Sequence, residues 1–259
     1  MSTKRPSLFR QLLAVPLTLL FYLAFASILV FFHLMQVITY YLMGYQAHKK
    51  SVDVLNFFMM NAPRLLGSRI VTDGLDHLPT DRSVIIVSNH QSMMDIPPII
   101  WLLRKHHVKF VAKKELTNWI PSISFNLKKG GSLLIDRSKG TETIRQIAEY
   151  GKKLKENGYS ICIFPEGTRN KQLQPFKPGG LKSLVQSTPG TLIVPFVVHG
   201  NYRMFQSGMF PLEIGHTLKY EVLPAIDPAS LTIDEITDVI YQQIKRALEK
   251  GDSSTSSAA

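Results

Sequence analysis

The chain of 259 residues is 45% hydrophobic and only 19% charged, against roughly 25% charged in a typical soluble domain. Its formal net charge of +11 points to anionic partners: a nucleic acid, an anionic membrane surface or a phosphorylated substrate. The lone cysteine, Cys162, excludes an internal disulfide, and the apolar run Ile161-Cys162-Ile163-Phe164 around it predicts a buried strand residue in a reducing compartment.

From Gln11 to His48 there is no Asp, Glu, Lys or Arg, a run of 38 residues. As one helix it would measure about 57 Å at ~1.5 Å per residue, against a hydrocarbon core of about 30 Å. One perpendicular span does not need that length, and two spans with a turn would barely fit. The run also exceeds the ~7–15 apolar residues of a cleavable signal peptide. Lys4, Arg5 and Arg10 precede it and Lys49 and Lys50 follow it, which suggests that both ends stay on the cytoplasmic side. Residues 51–67 mix Val54, Leu55, Phe57 and Phe58 with Asp53, Asn56 and Arg64, the composition of an interfacial amphipathic helix. Residues 1–67 are thus predicted to be a helical, membrane-embedded anchor.

From Ser68 the pattern changes. Short apolar strands are predicted over 83–88, 108–112, 131–135, 160–164, 191–198 and 218–222. Helices are predicted over 95–104, near Trp119, over 141–157 and over 233–250, the last amphipathic. Buried strands alternating with helices predict an α/β domain over 68–250, a layered sheet flanked by helices. The small, polar residues 251–259 are expected to be a disordered tail.

Four segments at strand ends carry polar chemistry. The first is Asn89-His90-Gln91-Ser92-Met93-Met94-Asp95. A histidine is suited to take a hydroxyl proton near neutral pH, and a carboxylate on its other nitrogen would hold the tautomer. Five residues turn a helix by about 140°, so the pair can meet only if His90 lies in a loop and Asp95 at the helix start. With Pro97 and Pro98 following, Asp95 also reads as an ordinary helix N-cap. The second is Gly131-Ser132-Leu133-Leu134-Ile135-Asp136-Arg137, where Arg137 either grips a phosphate or pairs with Asp136 in a surface turn. The third is Phe164-Pro165-Glu166-Gly167-Thr168-Arg169, where a strand breaks among clustered polar groups. In the fourth, Val194-Pro195, the proline suggests a sheet edge or bulge, either of which could serve as a site wall.

Together, in order and spacing, these segments resemble the 1-acylglycerol-3-phosphate O-acyltransferase family, with Ala112-Lys113-Lys114-Glu115-Leu116 a further matching segment between the first two. The resemblance covers residues 68–225 and implies a glycerolipid acyltransferase-like fold. It implies His90 as general base and Asp95 as its orienting carboxylate. Arg137, Glu166, Gly167, Thr168 and Arg169 would hold the glycerol phosphate, with Lys113 a weaker candidate. Two departures stand out: Met93-Met94 where an aromatic residue is frequent, and Pro178 after Phe176-Lys177 where a second basic residue is common.

The expected reaction joins lysophosphatidic acid to the acyl group of acyl-CoA or an acyl carrier protein thioester, making phosphatidic acid. It needs no metal and no further cofactor. Without a Gly-x-Ser-x-Gly elbow and with Cys162 predicted buried, the hydroxyl attacks the thioester directly. The enzyme is expected on membrane lipids, with its catalytic domain on the cytoplasmic side. Rival readings are acylation of glycerol 3-phosphate, which the resemblance associates with longer chains, acylation of another lysophospholipid, and a non-catalytic binder of anionic lipid. A nucleic-acid partner is disfavoured, since the chain has no zinc-ligand spacing or helix-turn-helix pattern.

Overall fold

The structure, a computed structural model, describes residues 8–118, 120–136 and 140–256. Among the described residues seven strands form one sheet: β1 (Arg69–Asp73), β2 (Ile85–Ser88), β3 (Lys109–Lys113), β4 (Leu133–Ile135), β5 (Ile161–Ile163), β6 (Ile193–His199) and β7 (Thr217–Val222). Their order is β1-β7-β6-β2-β5-β3-β4. All neighbours run parallel except β6 and β7, which are antiparallel. Every residue of β2 is buried, as a parallel strand covered on both faces requires.

The covering layers use alternate side chains of the strands. On one face Ile86, Cys162, Val194 and Phe196 pack against Met94, Ile99 and Leu103, from the segment around α3 (Ile96–Leu102). On the other, Ile85, Val87, Ile161 and Val197 meet Ile147 and Leu154, Leu181 and Leu184, and Ile236, Ile240 and Ile244. Those pairs and triplet come from α5 (Gly140–Glu156), α6 (Pro178–Ser187) and α7 (Ile233–Ser256), where α4 (Pro121–Lys129) precedes them in the chain. The expected layered α/β fold is present.

The uncharged stretch is one helix, α1 (Leu8–Met43), of 36 residues, uninterrupted at Pro16. Gly44, at a φ of 82°, separates it from α2 (Tyr45–Asn61). Leu29 and Phe32 of α1 pack on Leu55 and Met59 of α2, so the two form a hairpin. By length and composition α1 can cross a membrane. It is also held to the α/β layers along its length. The Arg10 guanidinium donates to the Ile214 carbonyl, Tyr22 Oη to the Met209 carbonyl, and Gln36 Nε2 to Ser122 Oγ at 2.7 Å. Ala14, Phe21, Met60, Ala62 and Leu66 belong to the same buried cluster as Ile86 and Val194. Residues 8–67 therefore share a core with the rest.

Three local expectations differ. Strand β1 was not foreseen, because Arg-Ile-Val-Thr-Asp has only two apolar residues and sits on the sheet edge, largely exposed. Pro195 is in an interior strand, between β2 and β7. Its carbonyl accepts from Leu223 N at 3.0 Å, and pairing resumes between Ile193 and Ile226, with one extra residue on the facing chain, so the edge reading fails and the bulge reading stands. The closing helix continues to Ser256 in place of a disordered tail from Gly251. Gly251 sits against the ring of His199 so closely that a Cβ there would lie 2.6 Å from Nδ1. That contact seats the helix beyond Lys250, and its last turn follows.

Candidate active site

In a parallel sheet, sites form where strands deliver their carboxyl ends. β2, β5, β3 and β4 are consecutive neighbours running the same way. His90 follows β2, the Glu166–Arg169 loop follows β5, Lys113 ends β3, and Asp136 follows β4. Arg137, the next residue, lies outside the described residues.

The chain leaves β2 through Asn89, whose amide imitates one more residue of ladder. Its Nδ2 donates to the Val198 carbonyl at 2.9 Å and its Oδ1 accepts from Val198 N at 2.8 Å. His90 is then gripped by its backbone. Its N–H donates to Glu166 Oε1 at 2.7 Å, and its carbonyl accepts from Asn170 N at 2.8 Å. The imidazole stacks on Phe164, with ring centroids 4.2 Å apart and planes 21° apart.

His90 Nδ1 lies 2.8 Å from Asp95 Oδ2. An ionised carboxylate only accepts, so the proton of this bond is on Nδ1 and the Nε2 lone pair is left for chemistry. The ring is 15% exposed and Asp95 is fully buried. Asp95 stands at the N-cap of α3, but its side chain caps nothing there. It instead closes a capping box with Ser92 one turn earlier, with Oδ2 accepting from Gln91 N at 2.6 Å and Ser92 N at 2.9 Å. On the other oxygen, Asn201 Nδ2 donates to Oδ1 at 2.8 Å. Four firm donors around one carboxylate offset the cost of burying it. The loop before a 3-10 turn is what brings His90 and Asp95 to one side, as the spacing required.

The structure places Glu166 in hydrogen bonds of the protein itself. Only 3% exposed, its carboxylate turns inward: Oε1 holds His90 N, while Oε2 accepts from Gln174 N at 3.0 Å and Asn170 Nδ2 at 3.3 Å. Burial pushes its pKa up, against these hydrogen bonds, which pull it down. These bonds tie the His90 loop to the loop after β5. Gly167, at a φ of 75°, takes a conformation that favours glycine. Thr168 and Arg169 beyond it are exposed, and the Arg169 guanidinium has no partner among the described residues. Lys113 is likewise exposed at the end of β3.

Three contributors were not singled out from sequence as site residues. Asn89 was quoted only as part of its motif. Lys177 Nζ lies over Gly167, 3.4 Å from where a Cβ would stand, adding a cation beside the loop that carries Arg169. Asn201 comes from the turn after β6, and nothing in its neighbours Gly200 and Tyr202 signals a partner more than a hundred positions away. Among the described residues no group of three or more His, Cys, Asp or Glu side chains is placed to share a metal ion. Cys162, 1% exposed on β5, has its thiol pKa pushed well up by burial and by the nearby Asp95 charge, which leaves it unreactive.

Residues 69–199 match the family model described as acyltransferase, half of the chain and all of the strands that carry the site. The chain belongs to the acyltransferase family. Among its relatives, it is 28% identical over 189 residues to the mouse 1-acyl-sn-glycerol-3-phosphate acyltransferase alpha, covering 72% of this chain and 65% of that one. It is 33% identical over 179 residues to the 1-acyl-sn-glycerol-3-phosphate acyltransferase of Limnanthes alba, covering 68% of this chain and 61% of the relative. The chain thus spans somewhat less than two thirds of the length of these two relatives. A crystal structure of the 1-acyl-sn-glycerophosphate (LPA) acyltransferase PlsC from Thermotoga maritima superimposes with a TM-score of 0.76 at 25% identity, over 94% of this chain and 97% of that one. The likeness to this acyltransferase fold therefore includes the α1–α2 hairpin.

Proposed function

We propose that this acyltransferase-family chain transfers a fatty acyl group from an acyl thioester to the sn-2 hydroxyl of 1-acyl-sn-glycerol 3-phosphate, making phosphatidic acid. The observation that carries the reading is the His90–Asp95 pair with its Nε2 lone pair unused, 15% exposed at the carboxyl edge of the sheet. The printed names of the relatives support lysophosphatidate as acceptor.

His90 Nε2 takes the hydroxyl proton as the oxygen attacks the thioester carbonyl. The tetrahedral intermediate collapses with breakage of the C–S bond, and the imidazolium returns its proton to the departing thiolate. Asp95 stays ionised and stabilises the imidazolium between the two transfers. Coenzyme A and acyl carrier protein thioesters present the same carbonyl and sulfur, so the step is written for an acyl thioester of either carrier.

Arg169 and Lys177, with Arg137 from the sequence pattern, provide cations for the acceptor phosphate. Arg169→Ala is expected to raise KM for lysophosphatidate about 10- to 100-fold, as loss of a charged hydrogen bond implies, with KM for the donor little changed. Arg169→Lys recovers only part, because a point charge cannot make a two-pronged contact. Steady-state kinetics with each substrate varied checks this, and equal effects on both would assign Arg169 to structure.

Membrane attachment follows from the outer face of α1, where Leu12, Leu19, Leu23, Val30, Leu34 and Leu42 are exposed, a patch far larger than soluble surfaces carry. The cytoplasmic side is proposed for the catalytic layers from the basic residues flanking the helix. The test is a mass-spectrometric product assay on the purified chain with lysophosphatidate, glycerol 3-phosphate and other lysolipids, and with both donors. Phosphatidate is the expected product. Acylation of another acceptor alone would reassign the substrate, and a folded protein that makes no product would favour a non-catalytic lipid binder.

A further inference from the structure

The second oxygen of Asp95 leads away from the histidine into the core. Oδ1 accepts from Asn201 Nδ2 at 2.8 Å, and Asn201 Oδ1 accepts from Tyr220 Oη at 3.1 Å. Asn201 is 0% exposed and Tyr220 1%. They stem from different strands: Asn201 opens the turn after β6 and Tyr220 lies within β7. Burial, and then the charge of Asp95, push the Tyr220 hydroxyl above its ordinary pKa, so it stays a donor.

The polarity of this chain has one solution. A protonated tyrosine donates to the amide oxygen, which turns the amide nitrogen toward Asp95. The reversed amide would set its oxygen against a carboxylate oxygen. Among the described residues, the other group on Asp95 Oδ1 is the Ser92 hydroxyl at 3.3 Å. Asn201 therefore supplies the short bond on Oδ1 that, with the Gln91 and Ser92 N–H groups on Oδ2, keeps the carboxylate from turning about its own axis and carrying Oδ2 away from His90 Nδ1.

The geometry points to Asn201, oriented by Tyr220, as a positioning residue that holds the Asp95 carboxylate in line with His90; this rests on the proposed role of His90 as base. Each donor on the carboxylate also spreads its charge. Removing one concentrates charge on the oxygens facing the imidazole and favours its protonated form. The consequence has a sign: a weakened Asn201 contact moves the acid limb of the rate profile to higher pH.

The test is the full-length chain carrying Asn201→Leu with Tyr220→Phe, which keeps side-chain volume and leaves no tyrosine hydroxyl unpaired. Expected are a kcat about tenfold lower, KM values for both substrates within about twofold, and an acid limb of kcat/KM about half a pH unit higher. The thermal midpoint is expected to fall by about a few degrees, because a buried carboxylate oxygen loses its short donor. A folded double variant with parental kcat and pH profile overturns the inference. So does a loss spread evenly over kcat and both KM values, which is the mark of a packing defect. If the double variant does not fold, Tyr220→Phe alone carries the test: a smaller shift of the same limb supports the inference and an unmoved profile overturns it. His90→Ala, assayed alongside, separates the two levels. Turnover surviving there brings down the base itself, whereas an inactive His90→Ala beside an unaffected double variant brings down only the role of Asn201.

Discussion

His90→Ala is expected to lower kcat roughly 10²–10⁴-fold, the contribution of one positioned base, with KM for both substrates close to the parent value. The loss belongs to the chemical step because little else depends on the ring. The loop is held through the backbone of residue 90, by Glu166 on its N–H and Asn170 on its carbonyl, and both bonds survive the substitution. Far-ultraviolet circular dichroism and membrane co-sedimentation are expected to be unchanged, and product formation followed by mass spectrometry reads the turnover. A variant that turns over normally would end the proposed mechanism. Asp95→Asn is expected to be severely impaired too, but it discriminates less. Oδ2 faces the N–H groups of Gln91 and Ser92, and Oδ1 faces the Asn201 amide. Whichever way the new amide turns, its own NH₂ meets a donor, so the variant loses local structure along with the imidazolium partner.

A chain beginning at Ser68 is expected to aggregate or stay unfolded, and not to yield a soluble catalytic domain. Phe21, Met60 and Leu66 fill the sheet face opposite α5, α6 and α7, with Ala14 and Ala62 between them. At about 1.5–3 kcal/mol for each large side chain, losing three takes away much of the ~5–15 kcal/mol that holds a domain together. Polar partners go with them: the Leu212 N–H loses Thr18 Oγ1 at 3.0 Å, and Ser122 loses Gln36. Expression of the shortened chain, followed by size-exclusion chromatography and thermal melting, checks this. A monodisperse product with a cooperative melt would show that the hairpin is an appendage after all.

The central strands could be read from sequence because burial on both faces makes them unbroken apolar runs, as in Ile85-Ile86-Val87 and Ile161-Cys162-Ile163. β1 could not, because an edge strand exposed on most of its length has no such run. The His90–Asp95 pairing was legible as a spacing, yet the same spacing fitted an N-cap. Only the backbone decided that Asp95 reaches back to Ser92 and makes no capping bond into α3. Glu166 shows the converse limit: a carboxylate in a polar, glycine-containing loop looks like a ligand group, and whether it faces solvent or a backbone N–H depends on a loop 76 positions away. Asn201 had no local mark, since its partners Asp95 and Tyr220 are brought to it by the sheet order alone.

That sheet order sets when in its synthesis the chain can acquire a site. β2 lies between β5 and β6, and Asn89 waits for Val198, 109 residues on, to complete its pair of hydrogen bonds. At about 5–20 residues per second on the ribosome, β2 and the whole His90-to-Asp95 segment emerge many seconds before β6. Until then one edge of a strand destined for full burial has no neighbour, a surface open to wrong pairing. α1 is already available by that time, and Ala14 and Phe21 on its inner face belong to the same buried cluster as Ile86 of that strand. A nascent chain that has reached Glu166 but not Asn201 holds every motif residue of the base and its carboxylate, with the second carboxylate oxygen still unanchored.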